Sequence, residues 1–169
     1  DYIYVNNASS LNPNEVTVEA WVKINGSTGN PQAIVRKMCG ATGGYALRID
    51  SNGTKLEAFV RDNTGALVYA SSAGAVKTLQ FNKWYHVAMT YDQFGGLLTT
   101  YIDGVADQFV AAIPNPLGID PGVLGIGAYP NTCPNSSWAS FFNGTIDEVN
   151  VINRSLQQNE ILRIHSLGR

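Results

Sequence analysis

Thirteen acidic residues are spread along this 169-residue sequence, and pairs of carboxylates are the groups that cleave glycosidic bonds. A retaining glycosidase holds its two carboxyl groups about 5–5.5 Å apart, which residues at i and i+2 on one strand can supply. No two acidic residues in this sequence have that spacing. Asp147 and Glu148 are adjacent and would face opposite ways on a strand, and Glu15 and Glu19 would lie roughly 13 Å apart. The spacing favours a non-catalytic protein, although carboxylates from different strands leave an inverting hydrolase open.

The two histidines and two cysteines offer little further chemistry. Neither His86 nor His165 has a serine or cysteine in a recognisable nucleophile setting. We interpret His86 as a core or hydrogen-bonded structural residue and His165 as a surface or interface residue. Cys39 and Cys133 both lie in loops rich in Gly, Pro and Asn, without the spacing of a zinc site. A disulfide between them is favoured, and two unlinked thiols are the alternative.

The strands that position these groups are predicted from short segments of alternating side chains, separated by turn residues. Residues 84–91 carry bulky or apolar side chains on both sides of an extended strand, which predicts a central strand covered on both faces. Asp103-Gly104 predicts a tight hairpin turn. Val16–Ile24 predicts a half-buried strand, with Trp21 facing outward.

A single helix is predicted, near the C-terminus, with Ser155 as its N-cap and Leu156, Ile161, Leu162 and Ile164 on its apolar side. Roughly eleven strands precede it. The prediction is an all-β fold, a two-sheet antiparallel jelly-roll sandwich with one short C-terminal helix. The length suits one domain over residues 1–169, and the start within a strand suggests a module of a larger extracellular protein.

The charge and hydropathy of the chain limit its partners. The formal net charge is −2, without a run of like charges, so neither nucleic acid nor an anionic membrane surface is expected, and sulfated or acidic partners are not favoured. No apolar run reaches the roughly 18 residues of a membrane span.

Eight segments, in their order along the chain, resemble a known family. They are residues 17–23 (TVEAWVK), 34–37 (IVRK), 44–50 (GYALRID), 84–92 (WYHVAMTYD), 101–105 (YIDGV), 124–127 (LGIG), 142–149 (FNGTIDEV) and 153–156 (NRSL) with Glu160-Ile161. The resemblance is to laminin-G-like (LamG) domains of the concanavalin A-like lectin/glucanase superfamily, and it covers essentially the whole chain. It implies the jelly-roll fold but leaves function open, because such folds serve lectins, hydrolases, sugar-binding modules and adhesion domains.

The resemblance also implies a structural calcium site. Calcium takes six to eight oxygen ligands. Asp147 falls in the matched segment 142–149 and Asp1 precedes the first strand, and these two ends of the chain are expected to run side by side. The alternative is that these carboxylates bind backbone amides at strand ends.

A carbohydrate site needs aromatic faces for sugar rings and fixed polar groups for hydroxyls. Alternation in the strands at 45–50 and 55–61 directs a second set of side chains away from the core, onto the concave face that sugar-binding relatives use: Arg48, Asp50, Glu57, Phe59 and Arg61, with Arg36 beside them. Tyr129, Trp138 and Phe141, in the long loop over one edge, are candidates for a stacking platform. The alternative is a solvated face of paired charges beside a loop aromatic that plugs the core.

These observations predict a non-catalytic, lectin-like module of a secreted or cell-surface protein, whose partner is a polysaccharide or other glycan. A domain that binds an extracellular protein in cell adhesion is the alternative. A glycoside hydrolase is the second, less favoured alternative.

Overall fold

The alternating segments form thirteen β-strands and one α-helix within residues 1–112, 114–130 and 137–168, which the computed structural model describes. A 3₁₀ turn, Ser9–Leu11, follows the first strand. The strands are β1 Ile3–Val5, β2 Val16–Ile24, β3 Gln32–Lys37, β4 Gly44–Ile49, β5 Leu56–Arg61, β6 Leu67–Ala70, β7 Trp84–Asp92, β8 Leu97–Ile102, β9 Val105–Ala111, β10 Leu124–Ile126, β11 Tyr129–Pro130, β12 Trp138–Ala139 and β13 Gly144–Ile152, and the helix is α1 Gln158–Leu167.

Two antiparallel sheets account for most of these strands. One has six strands in the order β1-β10-β3-β4-β5-β6, and the other has five in the order β13-β2-β7-β8-β9. The short strands β11 and β12 pair as a separate ribbon. The predicted two-sheet antiparallel jelly-roll sandwich with a short C-terminal helix is confirmed.

The core lies between the two sheets and follows the period-two alternation of the strands. In the six-stranded sheet, the predicted inward residues of β4 and β5 are buried, with Leu47, Ile49 and Val60 fully inaccessible. In the five-stranded sheet, Val18 and Val22 of β2 face the same core. Because a slip of one residue would move every apolar side chain to the other face, this alternation also fixes the strand register.

The hairpin between β8 and β9 turns at Asp103 and Gly104, as predicted. Their φ angles are +53° and +77°, the left-handed conformation that a two-residue type I′ turn requires at both central positions.

Two local predictions were wrong, and both concern the helix. Its N-cap is Gln157, whose N–H donates to Glu160 Oε2 at 2.9 Å, and not Ser155. Strand β2 was expected to be half-buried, yet Trp21 is only 6% exposed. The reason is that α1 returns over the outer face of the five-stranded sheet, where the His165 ring stacks on Trp21 with 5.6 Å between centroids. No helix among the described residues is long and apolar enough to cross a membrane.

Candidate functional site

The outer face of the six-stranded sheet carries one row of side chains that crosses all six strands. Directly paired residues of neighbouring strands point to the same face, and the pairing links, in strand order, Tyr4, Gly125, Arg36, Ala46, Phe59 and Tyr69. Arg48 and its partner Glu57 lie beside this row. We call this surface the arginine–aromatic face: Tyr4, Arg36, Arg48, Glu57, Phe59, Arg61 and Tyr69, with the rings of Tyr129 and Trp138 lying on it.

Arg36 is held between two aromatic rings. Its Cζ lies 3.9 Å from the ring centroid of Tyr129 and 5.3 Å from that of Phe59, distances at which a guanidinium is attracted to an aromatic face. Its Nε donates to the carbonyl of Met38 at 3.1 Å. Burial lowers the pKa of Arg36, and the charge of Arg48 lowers it further, against the opposing effects of Tyr129 and Asp120. The side chain is therefore held by two aromatic rings and by a hydrogen bond to the backbone.

Arg48 and Glu57 form an ion pair on neighbouring strands. Arg48 Nε donates to Glu57 Oε2 at 2.7 Å, and Arg48 Nη2 donates to the Tyr69 hydroxyl at 2.9 Å. Burial alone would raise the pKa of Glu57, but hydrogen bonds from Tyr69 and Ser72 and the charge of Arg48 lower it overall. The pKa of Tyr69 is raised by burial and by Glu57. Glu57 is thus ionised and committed to this network.

Phe59 faces outward as predicted, but its ring is covered. Arg36 and Arg48 lie over it, with Arg48 Cζ 5.0 Å from its centroid, and Tyr69 meets it edge-on at 5.9 Å. Only 7% of Phe59 is exposed. Its ring therefore supports the two arginines, and the exposed rings around it are the surfaces left for stacking.

The three loop aromatics that were predicted together lie at two places. Tyr129, on β11, covers Arg36. The Trp138 ring, on β12, lies 4.4 Å from the ring of Tyr2 and 6.0 Å from that of Tyr4. Phe141 is 6.0 Å from Tyr2 and half exposed. A Cβ at Gly125 would clash with the backbone carbonyl of Ala128 and would lie 3.0 Å from Trp138 Cζ3, so the glycine of this row allows close approach of both the backbone and the tryptophan ring.

Sequence reasoning missed three tyrosines of this region. Tyr69 is 38% exposed on β6, where Val68 and Ala70 are buried, so the alternation of that strand contained the signal. Tyr2 and Tyr4 are 42% and 58% exposed. Their place on this face depends on β1 pairing with β10, which is more than a hundred residues away in the chain.

Arg61 lies at one end of the face, beside a shallow groove of about 250 Å³ lined also by Arg36, Arg48, Phe59, Leu67 and Tyr69. Its Nη1 donates to the carbonyl of Gly65 at 2.7 Å. Its Nε is buried without a hydrogen-bond partner among the described residues. All three predicted arginines therefore border one groove.

The predicted calcium ligands belong to segments that do not pair with each other. Asp1 precedes β1 of the six-stranded sheet, and Asp147 lies in β13 of the five-stranded sheet, opposite Trp21. The two segments nevertheless lie near each other, since Asp1 and Ile146 line one pocket beside Gly127 at an edge of the sandwich. Asp147 Oδ1 accepts the N–H of Glu148 at 2.9 Å, and the described residues hold no cluster of three or more His, Cys, Asp or Glu side chains for a metal. These two carboxylates do not form a calcium site by themselves, and calcium stays a prediction.

Cys39 lies in the loop after β3, where its N–H donates to Asp120 Oδ2 at 2.7 Å. Cys133 lies outside the described residues. The disulfide between Cys39 and Cys133 therefore stays a prediction.

His86 is buried beneath α1. It is 1% exposed, and its Nε2 lies 3.3 Å from Glu19 Oε2. The rings of Trp21 and His165 pack around it at 5.5 and 5.9 Å. His86 is a structural residue, as interpreted, and His165 belongs to the interface between helix and sheet.

Four buried aspartates serve as anchors for loops. Asp50 accepts the N–H groups of Thr54 and Lys55. Asp62, Asp107 and Asp120 each accept backbone N–H groups in the same way. For Asp62, burial would raise the pKa, but the hydrogen bonds from Thr64, Asn115 and Ala66 lower it overall. These carboxylates are occupied in holding the backbone.

A family model described as the Concanavalin A-like lectin/glucanases superfamily (Laminin_G_3) matches residues 1–162. The chain belongs to this family, which confirms the resemblance of its eight segments. No curated protein sequence matches the chain.

Solved structures of the same fold include proteins that bind carbohydrate. Domain 4 of AbnA, a GH43 extracellular arabinanase from Geobacillus stearothermophilus solved with arabinotriose, has a TM-score of 0.70 at 17% identity, over 97% of this chain and 72% of that one. A putative carbohydrate-binding protein from Bacteroides ovatus gives 0.68 at 22% identity, over 96% of this chain and 44% of that one. A native heptameric SAP-like pentraxin from Limulus polyphemus gives 0.65 at 14% identity, over 99% and 82%. At these identities the likeness shows the fold, and this chain spans less than half of the Bacteroides protein.

Proposed function

We propose that this chain is a non-catalytic carbohydrate-binding module of a secreted or cell-surface protein, and that it binds a polysaccharide on the arginine–aromatic face. The observation that carries the proposal is the group of arginines packed on aromatic rings on a sheet face that no described helix covers. Two structures of the same fold support the assignment: a domain solved with arabinotriose and a putative carbohydrate-binding protein.

Binding would combine stacking with directed hydrogen bonds. The exposed faces of Tyr4, Tyr69 and Trp138 suit sugar rings, because aromatic rings are large apolar surfaces with little conformational freedom to lose. Arg48 and Glu57 supply donors and acceptors that are already held in place at 2.7 Å. Since the partners are fixed before the ligand arrives, less entropy is lost on binding.

The size of the face suits a chain of sugars. The row crosses six strands, and neighbouring strands are about 4.8 Å apart, so it extends over roughly 24 Å. An extended oligosaccharide, and not a single sugar, would contact both Tyr69 at one end and Trp138 at the other.

The absence of catalysis in this proposal rests on the carboxylates. Glu57 is the acidic residue of the face, and its pKa is lowered, whereas a general acid needs a raised one. The buried aspartates bind loop amides. Release of reducing ends from a polysaccharide by the purified domain would contradict this part of the proposal.

Affinity electrophoresis and calorimetry against a panel of plant, microbial and animal polysaccharides test the function. We expect at least one polysaccharide to bind, and Tyr69→Ala and Trp138→Ala to weaken it about tenfold, since loss of one stacking surface removes on the order of 1 kcal/mol. Phe94→Ala is the matched control, because Phe94 is 79% exposed in the loop between β7 and β8. Silence across the panel, together with binding to extracellular proteins, would instead identify an adhesion domain.

A further inference from the structure

The arginine–aromatic face has more positive than negative charge. It holds three of the six arginines in the chain and one carboxylate, Glu57, which is paired with Arg48. Among the described residues, Arg36 and Arg61 form no ion pair with a carboxylate, whereas Arg154 is paired with Glu160 and Lys77 with Asp103. Two guanidinium charges on this face are therefore uncompensated.

Two of these cations lie close together. Arg36 and Arg48 both pack on the ring of Phe59, at 5.3 and 5.0 Å from its centroid. The nearest carboxylate to influence Arg36 is Asp120, and it is already bound to the N–H groups of Cys39 and Gly40 and paired with Lys37. The charge of Arg48 lowers the pKa of Arg36, because like charges repel each other. An anionic group bound to Arg36 would offset that repulsion.

The aromatic rings around Arg36 also determine which of its nitrogen donors remain for a ligand. Tyr129 and Phe59 pack against the Arg36 guanidinium and its Nε is bound to Met38, whereas its two terminal nitrogens have no hydrogen-bond partner among the described residues and remain for a ligand. A planar carboxylate accepts two parallel N–H bonds from such a pair of nitrogens, and this pairing is stronger than a hydrogen bond to a neutral hydroxyl.

We infer that the ligand is an acidic polysaccharide, a glycan that contains uronic acid, whose carboxylate binds Arg36 in the groove that Arg48 and Arg61 also line, while its sugar rings stack on the neighbouring aromatic rings. This inference rests on the proposed carbohydrate-binding function and adds the substrate class. It also departs from the expectation based on net charge, because a formal charge of −2 for the whole chain does not describe the local charge of one face.

Carboxylated glycans are favoured over densely sulfated ones. The face offers two uncompensated cations among aromatic rings, whereas a polysulfated chain needs a longer array of lysines and arginines. The overall negative charge of the chain also opposes a highly charged polyanion at a distance.

The experiment uses three probes, polygalacturonate, alginate and hyaluronan, each beside its carboxyl-reduced form, which keeps the backbone and loses the charge. Neutral arabinan and heparin complete the set. Binding is measured by calorimetry in 50 mM and 500 mM salt. We expect at least one uronic acid polysaccharide to bind, to lose tenfold or more of its affinity on carboxyl reduction, and to weaken at high salt.

Substitutions of single arginines test whether the ligand carboxylate binds to the arginine–aromatic face. Arg36→Gln and Arg61→Gln should each weaken the acidic probe about tenfold and leave any residual binding of the reduced probe unchanged. Arg36→Lys keeps the charge but loses the two parallel donors, so we expect an intermediate loss. Arg163→Gln, at an exposed position of α1, is the control, and thermal unfolding verifies that every variant is folded.

The outcomes separate this inference from the function on which it rests. Equal binding of the acidic and reduced probes, or binding of arabinan alone, would overturn the acidic ligand and leave the carbohydrate-binding function in place. Binding of heparin alone would assign a sulfated ligand and overturn the uronic acid. No binding to any probe, nor to the wider panel, would overturn both proposals.

Discussion

The two outer faces of the sandwich carry similar types of residue but lie in different environments. On the five-stranded sheet, Glu19, Trp21 and His86 form a polar and aromatic cluster that is almost fully buried. On the six-stranded sheet, Glu57, Phe59 and Arg48 form a comparable cluster. The difference is the C-terminal segment, in which Leu156, before the helix, and Ile161 of α1 pack against Ala88 and Tyr101 on the first face, whereas the second face is not covered in this way.

The hydrogen bonding of the two faces follows from that coverage. Glu19 accepts from Asn150 Nδ2 at 3.0 Å and contacts His86 at 3.3 Å, so the buried carboxylate has partners within the protein, as burial requires. On the other face, Arg36 and Arg61 keep donors that no described carboxylate uses. One face is thus a second small core, and the other keeps guanidinium donors without a carboxylate partner among the described residues.

The largest expected effect on stability comes from weakening the contact between α1 and the five-stranded sheet. Ile161 is the fully buried residue of α1, and Ile161→Ala should lower the free energy of unfolding by about 2–5 kcal/mol, the usual cost of truncating a buried aliphatic side chain. Urea denaturation measures it. Leu167→Ala, at a position 79% exposed, should stay within about 0.5 kcal/mol of the wild type. If Ile161→Ala also abolished polysaccharide binding in the folded protein, the two faces would not be independent.

The predicted disulfide has the next largest expected effect, and it concerns the arginine–aromatic face. A bond from Cys39 to Cys133 would tie the loop that carries Trp138 to the sheet, and its reduction should cost about 2–4 kcal/mol of stability. The measurement is the melting temperature with and without reductant, after mass spectrometry of the unreduced protein. The double variant Cys39→Ser/Cys133→Ser should not respond to reductant. Two alkylatable thiols in the native, unreduced protein would show that the bond is absent.

A smaller effect is expected from the pH dependence of Glu57. Because its pKa is lowered on folding, its ionisation contributes stability above the ordinary glutamate pKa of about 4.3, and that contribution is lost as the pH falls through the folded value. Glu57→Gln should therefore destabilise the domain by about 1 kcal/mol at pH 7 and by less near pH 3. Denaturation at the two pH values measures the difference.

Glu160 provides the comparison for this experiment. Its pKa falls to about 2 through hydrogen bonds from Arg154 and the N–H of Gln157, but it lies at the surface, where solvent screens the pair. Glu160→Gln should change stability less than Glu57→Gln at pH 7. The opposite order would mean that the ion pair of the arginine–aromatic face contributes little to folding.

The smallest expected effect is that of calcium. If Asp1 and Asp147 contribute to a structural site, chelation should lower the melting temperature by about 2–4 °C, the shift that corresponds to roughly 1 kcal/mol in a chain of this size. Asp147→Asn should remove the response, and the neighbouring Glu148→Gln should retain it. An unchanged melting temperature after chelation would count against the site.

Most residues of the arginine–aromatic face could be predicted from the alternation of side chains along the strands alone. Arg36, Arg48, Glu57, Phe59 and Arg61 were placed on it because side chains of a strand point to opposite faces in turn, and the row of paired residues in β3, β4 and β5 confirms that they share it. The order of the strands could not be predicted in the same way. Tyr4 joins the row through β10, and Tyr129 covers Arg36 through a ribbon of two-residue strands.

The sequence by itself determined the family, the two-sheet sandwich and the inward and outward sides of its main strands, because these follow from local periodicity and from segments in a recognisable order. Only the tertiary structure decided that Trp21 is buried, that two guanidiniums cover Phe59, and that β1, which follows Asp1, and β13, which holds Asp147, belong to different sheets. Each of these facts depends on elements far apart in the chain, the helix on one face and β1 on the other, and a pattern within one strand contains no information about what packs upon it.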